Sequence, residues 1–186
     1  MTQLVDQYGN PLRKENMVRR QAEAMMSGVR SIRDSFDATG IEPETLARIF
    51  RDANVGNTAA QFDLAEQLEE KDAHYQSVLN TRKRGVLRLD FTVDAADTSE
   101  EAEADAQFVR DFLDRDELQD EVYDILDAVG KGISFSEIVW DHSERQWDIA
   151  EIVNCPQRWF EFDRIDGVTP RLIDEGNTRL DLDPYK

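Results

Sequence analysis

Two histidines, one cysteine and 40 acidic residues are the groups of this chain most able to do chemistry. His74 stands two residues after Asp72 and four after Glu70. On a helix, His74 and Glu70 would share a face and could ligate a metal. No second histidine lies nearby: His142 falls in a polar stretch that reads as a hairpin loop, and the two make no recognisable zinc signature. Cys155 precedes Pro156 and reads as a small buried hydrophobe rather than a nucleophile. The carboxylates are so numerous that any pair could be nominated as acid and base, so they select none. A phosphate-cradling glycine loop, a nucleophile elbow and a Cys–His pairing are all missing from the pattern. The expectation is a chain with no catalytic residue, cofactor or metal. The enzymatic alternative, a metal-dependent hydrolase built on His74 and clustered carboxylates, predicts divalent-metal binding that His74→Ala abolishes.

Composition sets further bounds. A chain of 186 residues holds one good core, with room for a small satellite domain. At 40% hydrophobic and 9% aromatic it has enough apolar material to fold. Its formal charge of −18 argues against an average surface that grips nucleic acid, because phosphate binding needs clustered lysine and arginine. A like-charged wall, however, lets a polyanion pass without adhering. A single cysteine excludes an internal disulfide and fits a reducing compartment. No apolar run near 18 residues and no charged-then-apolar leader is visible, which reads as a soluble intracellular product with no membrane partner.

The elements change character across residues 127–140. Upstream, Leu118, Val122, Ile125, Leu126 and Val129 fall at i, i+4, i+7, i+8 and i+11, one apolar stripe of a helix. Gly130 and Gly132 offer a cap and a sharp turn. Ile133 to Trp140 is rich in β-branched and aromatic residues on both faces, which predicts a covered strand at the centre of a small sheet.

Residues 1–40 show turn chemistry at Gly9-Asn10-Pro11 and room for two or three helical turns over Gln21–Val29. Arg13, Lys14, Arg19, Arg20, Arg30 and Arg33 concentrate there, so the segment reads either as a partly extended basic arm lying on an acidic neighbour or as a frayed terminus. Pro43 opens a helix with Leu46, Ile49, Phe50 and Ala53 on one side, and Asn54 to Asn57 closes it. Thr58 is placed to cap a long helix running to about Arg84, in which Glu69 to His74 offers no large apolar residue. Arg82-Lys83-Arg84 closes it with cations at the negative end of the helix dipole. Leu87, Leu89, Phe91 and Val93 alternate with Arg88, Asp90, Thr92 and Asp94, a half-buried strand. Thr98 with Glu101 forms a capping box for the next helix, and Asp114-Arg115-Asp116 ends it.

Past Trp140, Asp141 to Arg145 reads as a loop and Trp147 to Val153 as the return strand, stopped by Cys155-Pro156. Gln157 to Asp163 reads as a strand, Asp166-Gly167 as a primed hairpin turn, and Val168 to Ile173, carrying Pro170, as an edge. Gly176-Asn177 turns once more before Leu180 to Leu182, and Trp140, Trp147 and Trp159 all fall in strands. The fold class is α+β, helical over 41–130 and strand-rich over 131–186, with helices packed on a small mixed or antiparallel sheet. No capping helix or polar tail follows the last strand, which suggests a fragment whose partner segments lie elsewhere.

Six stretches are then informative together: Ile49–Ala53, Gln67–His74 running through Asn80–Arg84 into Leu89–Val93, Ala128–Trp140 and Pro156–Phe160. From about residue 40 onward, their order and spacing resemble the portal proteins of Mu-like bacteriophages and prophages. Family members are considerably longer, and the likeness is to their N-terminal part. The resemblance implies a piece of the outer, wing-like α+β domain, with stem and clip in later segments. It also implies a homo-oligomeric ring, of twelve copies, at one vertex of the phage head. Such a ring meets the terminase large subunit, the major capsid protein and neck or tail proteins. Double-stranded DNA passes through it during packaging and ejection without tight binding. The expected location is the virion, with assembly in the bacterial host cytoplasm.

A ring needs heterologous interfaces, one side of a subunit meeting the different opposite side of the next. The candidate interface residues are Glu69, Glu70, Lys71, Asp72 and His74 of the polar turn, Arg82, Lys83 and Arg84, and Arg19 and Arg20 of the arm. An acidic adaptor or scaffold-type module that binds a basic partner without forming a ring is the alternative of a different class.

Overall fold

The computed structural model describes residues 11–21, 40–143, 147–174 and 178–183. A short α1 (Lys14–Met17) precedes α2 (Pro43–Ala53), α3 (Ala59–Lys71), α4 (Ala73–Leu87), α5 (Glu100–Leu113), α6 (Leu118–Ile125) and α7 (Ala128–Lys131). Then come β1 (Phe135–Asp141), β2 (Asp148–Cys155), a 3-10 turn (Gln157–Trp159), β3 (Phe160–Phe162), β4 (Pro170–Ile173) and β5 (Arg179–Leu180). β1 and β2 make an antiparallel pair, and β3-β4-β5 a second antiparallel sheet. The fold is α+β, as the sequence implied.

Local chemistry accounts for the elements. Pro43 starts α2 where its missing N–H costs nothing, and Ile49, 1% exposed, anchors that helix. Gly56 ends the α2 turn at φ +93°, and its carbonyl accepts the Phe162 N–H at 3.0 Å. A side chain there would put its Cβ 2.5 Å from the Phe162 carbonyl oxygen, so only glycine lets the α2–α3 corner reach β3.

Several elements differ from expectation. The long helix from Thr58 to Arg84 is two helices. Asp72 leaves helical geometry (φ −106°, ψ 94°) and its Oδ1 accepts the N–H groups of His74 and Tyr75, both at 3.0 Å. The turn without apolar residues has no core contact to lose, so an N-cap aspartate wins there. Thr58 makes no capping bond; its hydroxyl donates to the Phe160 carbonyl at 3.3 Å. Ser99, one residue later than the expected Thr98, caps α5 by accepting the Ala102 N–H at 3.2 Å. The stripe from Leu118 to Val129 breaks at Leu126-Asp127 into α6 and α7, and Gly132 supplies the left-handed residue that closes α7 at φ +85°.

The strand expected over Leu87–Asp94 does not form. Leu87 belongs to α4, and residues 88–99 pair with no strand among the described residues. Leu89 is 65% exposed and Phe91 56%. β1 is one arm of a two-stranded hairpin rather than a central strand, with a bulge between Val139 and Trp140. Gln157–Trp159 is a 3-10 turn, so the following strand starts at Phe160 and Trp159 lies outside any strand. β4 is the middle strand despite Pro170, which occupies its first position, where a missing donor is tolerated. Asp166-Gly167 sits in a wider loop than a two-residue turn: Gly167 N–H donates to the Asp163 carbonyl and Asp163 N–H to the Thr169 carbonyl, each at 2.8 Å. The expectations for Gly9-Asn10, residues 22–29, Arg30, Arg33, Arg145 and Gly176-Asn177 lie outside the described residues.

The apolar centre of the strand-rich half is Cys155, Phe160 and Leu172, with Phe135, Trp159 and Leu180 packed against it. The Phe135 and Phe160 rings stack at 4.0 Å. Cys155 is 2% exposed, and burial pushes its thiol up to about 11, an inert core residue as its sequence context suggested.

Candidate functional site

The densest polar constellation is a buried brace where α3, α4 and α7 meet the 3-10 turn. Asp127, between α6 and α7, accepts from Lys83 of α4 at 2.8 Å, from Lys131 of α7 at 2.5 Å and from Gln157 Nε2 at 2.8 Å. Both ammonium groups are almost fully enclosed, Lys83 at 7% and Lys131 at 8% side-chain exposure. Burial opposes ionisation of Asp127, but the hydrogen bonds from Lys131, Lys83 and Gln157 outweigh it and hold the carboxyl below its ordinary range. Glu69 of α3 completes the group, its Oε2 3.7 Å from Lys131 Nζ. Its Oε1 is buried without a hydrogen-bond partner, and burial raises its pKa above the usual carboxylate value. Lys83 also sits 4.9 Å from the centre of the Tyr123 ring, whose hydroxyl donates to Asn80 Oδ1 at 2.5 Å. Gly130 is needed where α7 presses on α3 and α4: a Cβ there would come within 2.5 Å of Glu69 Oε1 and 3.0 Å of Leu79 Cδ1.

Other charges also turn inward. Arg115 donates to Glu121 at 2.6 Å, and the second oxygen of Glu121 accepts the Ile152 N–H at 3.0 Å, tying α6 to β2. Arg158 of the 3-10 turn reaches Glu66 of α3 at 2.5 Å, and Arg179 of β5 reaches Glu161 of β3 at 2.5 Å. These groups satisfy one another, which is what a mechanical brace between elements requires. Among the described residues, no three His, Cys, Asp or Glu side chains are grouped to hold a metal ion. No helix among them is long and apolar enough to cross a membrane.

The ten residues proposed from sequence divide accordingly. Lys83 and Glu69 point into the brace and offer nothing to a neighbour. Arg20 reaches Glu151 on the chain's own β2 at 2.7 Å, and the adjoining Gln21 bonds Glu137 through its backbone N–H, so this part of the arm lies on its own hairpin. Asp72 is engaged as the α4 cap, and Lys71 donates to Gln67 at 3.2 Å. Arg19, Glu70, Lys71, Asp72, His74, Arg82 and Arg84 remain on the surface. Asp127, Lys131, Glu121 and Gln157 were missed. Their partners stand 24 or more residues away in sequence except for the Lys131–Asp127 and Glu121–Arg115 contacts, so no local pattern marks them.

The second notable region is the stretch from α4 through α5. Its linking segment is held by Arg110, whose Nε and Nη2 donate to the Val93 carbonyl at 3.1 and 2.9 Å. Between them opens a cleft of about 760 Å³ lined by Leu87, Phe91, Val93, Gln107, Leu113 and Leu118 among others. In α5, a helix of 14 residues, Ala106 alone is buried.

The chain is thus an α+β body with paired internal charges and an exposed helical flank. The family described as the portal protein of Mu bacteriophage matches residues 62–186, and the chain belongs to that family. It is 32% identical over 142 residues to the Mu-like prophage FluMu protein gp29 of Haemophilus influenzae and 30% identical over 142 residues to the portal protein of Escherichia phage Mu. Each match covers 75% of this chain and 27% or 28% of the relative, so the chain spans about a quarter of the length of the curated relatives it matches.

Proposed function

We propose that this chain is part of a portal subunit that closes, as twelve copies, into a ring at the head vertex of a Mu-like phage. Residues 41–186 are the wing-like α+β unit of that subunit, and residues 1–40 an arm. The ring admits double-stranded DNA during packaging, releases it on ejection, and meets the terminase large subunit, the major capsid protein and neck or tail proteins. It works in the virion and assembles in the host cytoplasm. Its role is mechanical, with no reacting centre. Family membership is the observation that carries this reading. The distribution of charge supports it: basic side chains are drawn inside to brace helices, leaving a surface of net charge far below zero past which DNA slides without sticking. Interfaces between such acidic subunits rest on the few free arginines, so assembly is expected to weaken as salt rises and screening shortens to about 8–10 Å.

Light scattering and electron microscopy on the intact gene product test this directly. A closed ring of large mass supports the portal reading, and a monomer or dimer returns the adaptor reading. Nanomolar affinity for duplex DNA at physiological salt would contradict passage without adhesion.

A further inference from the structure

Helix α4 has two apolar sides and uses one. Leu79 and Lys83 face the body and are 7% and 6% exposed. Beside that face, Tyr75, Val78, Arg82 and Val86 recur at i, i+3, i+7 and i+11; the Tyr75 hydroxyl lies near Gly130 of the body, and the rest of the stripe meets solvent. Its apolar members are 36%, 46% and 39% exposed, and Leu89 beyond the helix end extends it at 65%. Arg82 sits in the middle of this stripe with no ion pair among the described residues.

Helix α5 carries the complementary pattern. Glu101, Asp105, Phe108 and Phe112 recur at i, i+4, i+7 and i+11 on the side turned away from buried Ala106. Phe108 and its neighbour Val109 are each 42% exposed. Glu101 and Asp105 make no ion pair among the described residues. With 15 residues in α4 and 14 in α5, both helices are about 21–22 Å long, so one can lie along the other over its whole length.

Resting on the ring proposed above, we infer that the Tyr75–Val78–Arg82–Val86 stripe of one copy docks on the Glu101–Asp105–Phe108 stripe of the next. The occupant of each stripe is a second copy of this chain. Two like stripes meeting would oppose Arg82 to Arg82, or carboxylates to carboxylates, whereas unlike stripes pair an arginine with two acids over an apolar contact. The contact is therefore heterologous, the type of contact a cyclic ring requires, and it closes the ring when its rotation returns to the first copy.

Charge exchange on the intact gene product tests it, read by light scattering at low salt with helix content followed by circular dichroism. Arg82→Glu and the double change Glu101→Lys with Asp105→Lys are each expected to keep the helix content and raise the half-assembly concentration by about tenfold or more. Combining all three changes is expected to restore assembly to within about threefold of the unaltered protein. Val78→Asp removes the apolar part of the contact and is expected to weaken assembly as well. Single exchanges that assemble like the unaltered protein, or a combination no better than either alone, would overturn this interface while leaving the ring intact. An unaltered protein that forms no ring would overturn both.

Discussion

The body around Asp127 and the flank from α4 to α5 treat the same residue types in opposite ways. In the body, lysines and carboxylates are enclosed and answered: Lys83 and Lys131 both reach Asp127, and Arg115 and the Ile152 N–H share Glu121. In the flank, Arg82, Glu101 and Asp105 stand free beside apolar residues that remain wet, Phe91 at 56% and Phe108 at 42% exposure. A region whose charges are mostly answered internally, Glu69 Oε1 excepted, asks little of a neighbour. One that exposes apolar stripes with charges set among them is shaped for contact. The contrast separates what holds the chain together from the faces proposed above to meet another copy.

The largest expected effect lies in the body. Asp127→Ala leaves two enclosed ammonium groups without their shared carboxylate and is expected to cost about 3–5 kcal/mol, read by urea unfolding of the chain. A loss below about 1 kcal/mol would show that the brace is ornamental. Gly56→Ala comes next: a side chain at φ +93° that also meets the Phe162 carbonyl is expected to cost about 2 kcal/mol or more.

Acid sharpens the same point. Asp127 has its carboxyl lowered in the fold, so its support is complete above the ordinary value of 3.8 and is lost as pH falls through the folded value. Glu69 is raised, so its charged form burdens the fold at neutral pH and that burden is gone once pH drops below 4.5. Glu69→Gln is accordingly expected to raise Tm at pH 7, with the difference vanishing by about pH 4. A lowered Tm at pH 7 would mean that the contact with Lys131 outweighs burial. The smallest effect belongs to the flank: Phe91→Ser is expected to change the stability of the chain by no more than about 0.5 kcal/mol, because the ring is already largely in water.

The contrast also explains what could be read from residues alone. Helix α2 was legible because Pro43, Leu46, Ile49 and Gly56 each act locally, as start, stripe and stop. The β1–β2 hairpin was legible from its β-branched and aromatic content, although its place at the edge was not, since sheet position depends on partners far along the chain. Leu87 to Val93 was misread for an instructive reason: alternation records that one face can be buried, not that a neighbouring strand exists. The break at Asp72 had a signal, an N-cap residue within a turn lacking apolar side chains, which the flanking helical periodicity masked. Of the candidate interface residues, Arg82, Lys83 and Arg84 were named together from their basic cluster. That Lys83 turns inward depends on Asp127, 44 residues later, and no spacing rule reaches so far.

Amide hydrogen exchange on the intact gene product, measured before and after assembly, bears most directly on the division between the two regions. Protection is expected to rise along Ala73–Leu87 and Glu100–Leu113 on assembly, while residues 127–141 and 148–160 exchange alike in both states. Protection gained in the braced body, with the two flanking helices unchanged, would contradict it.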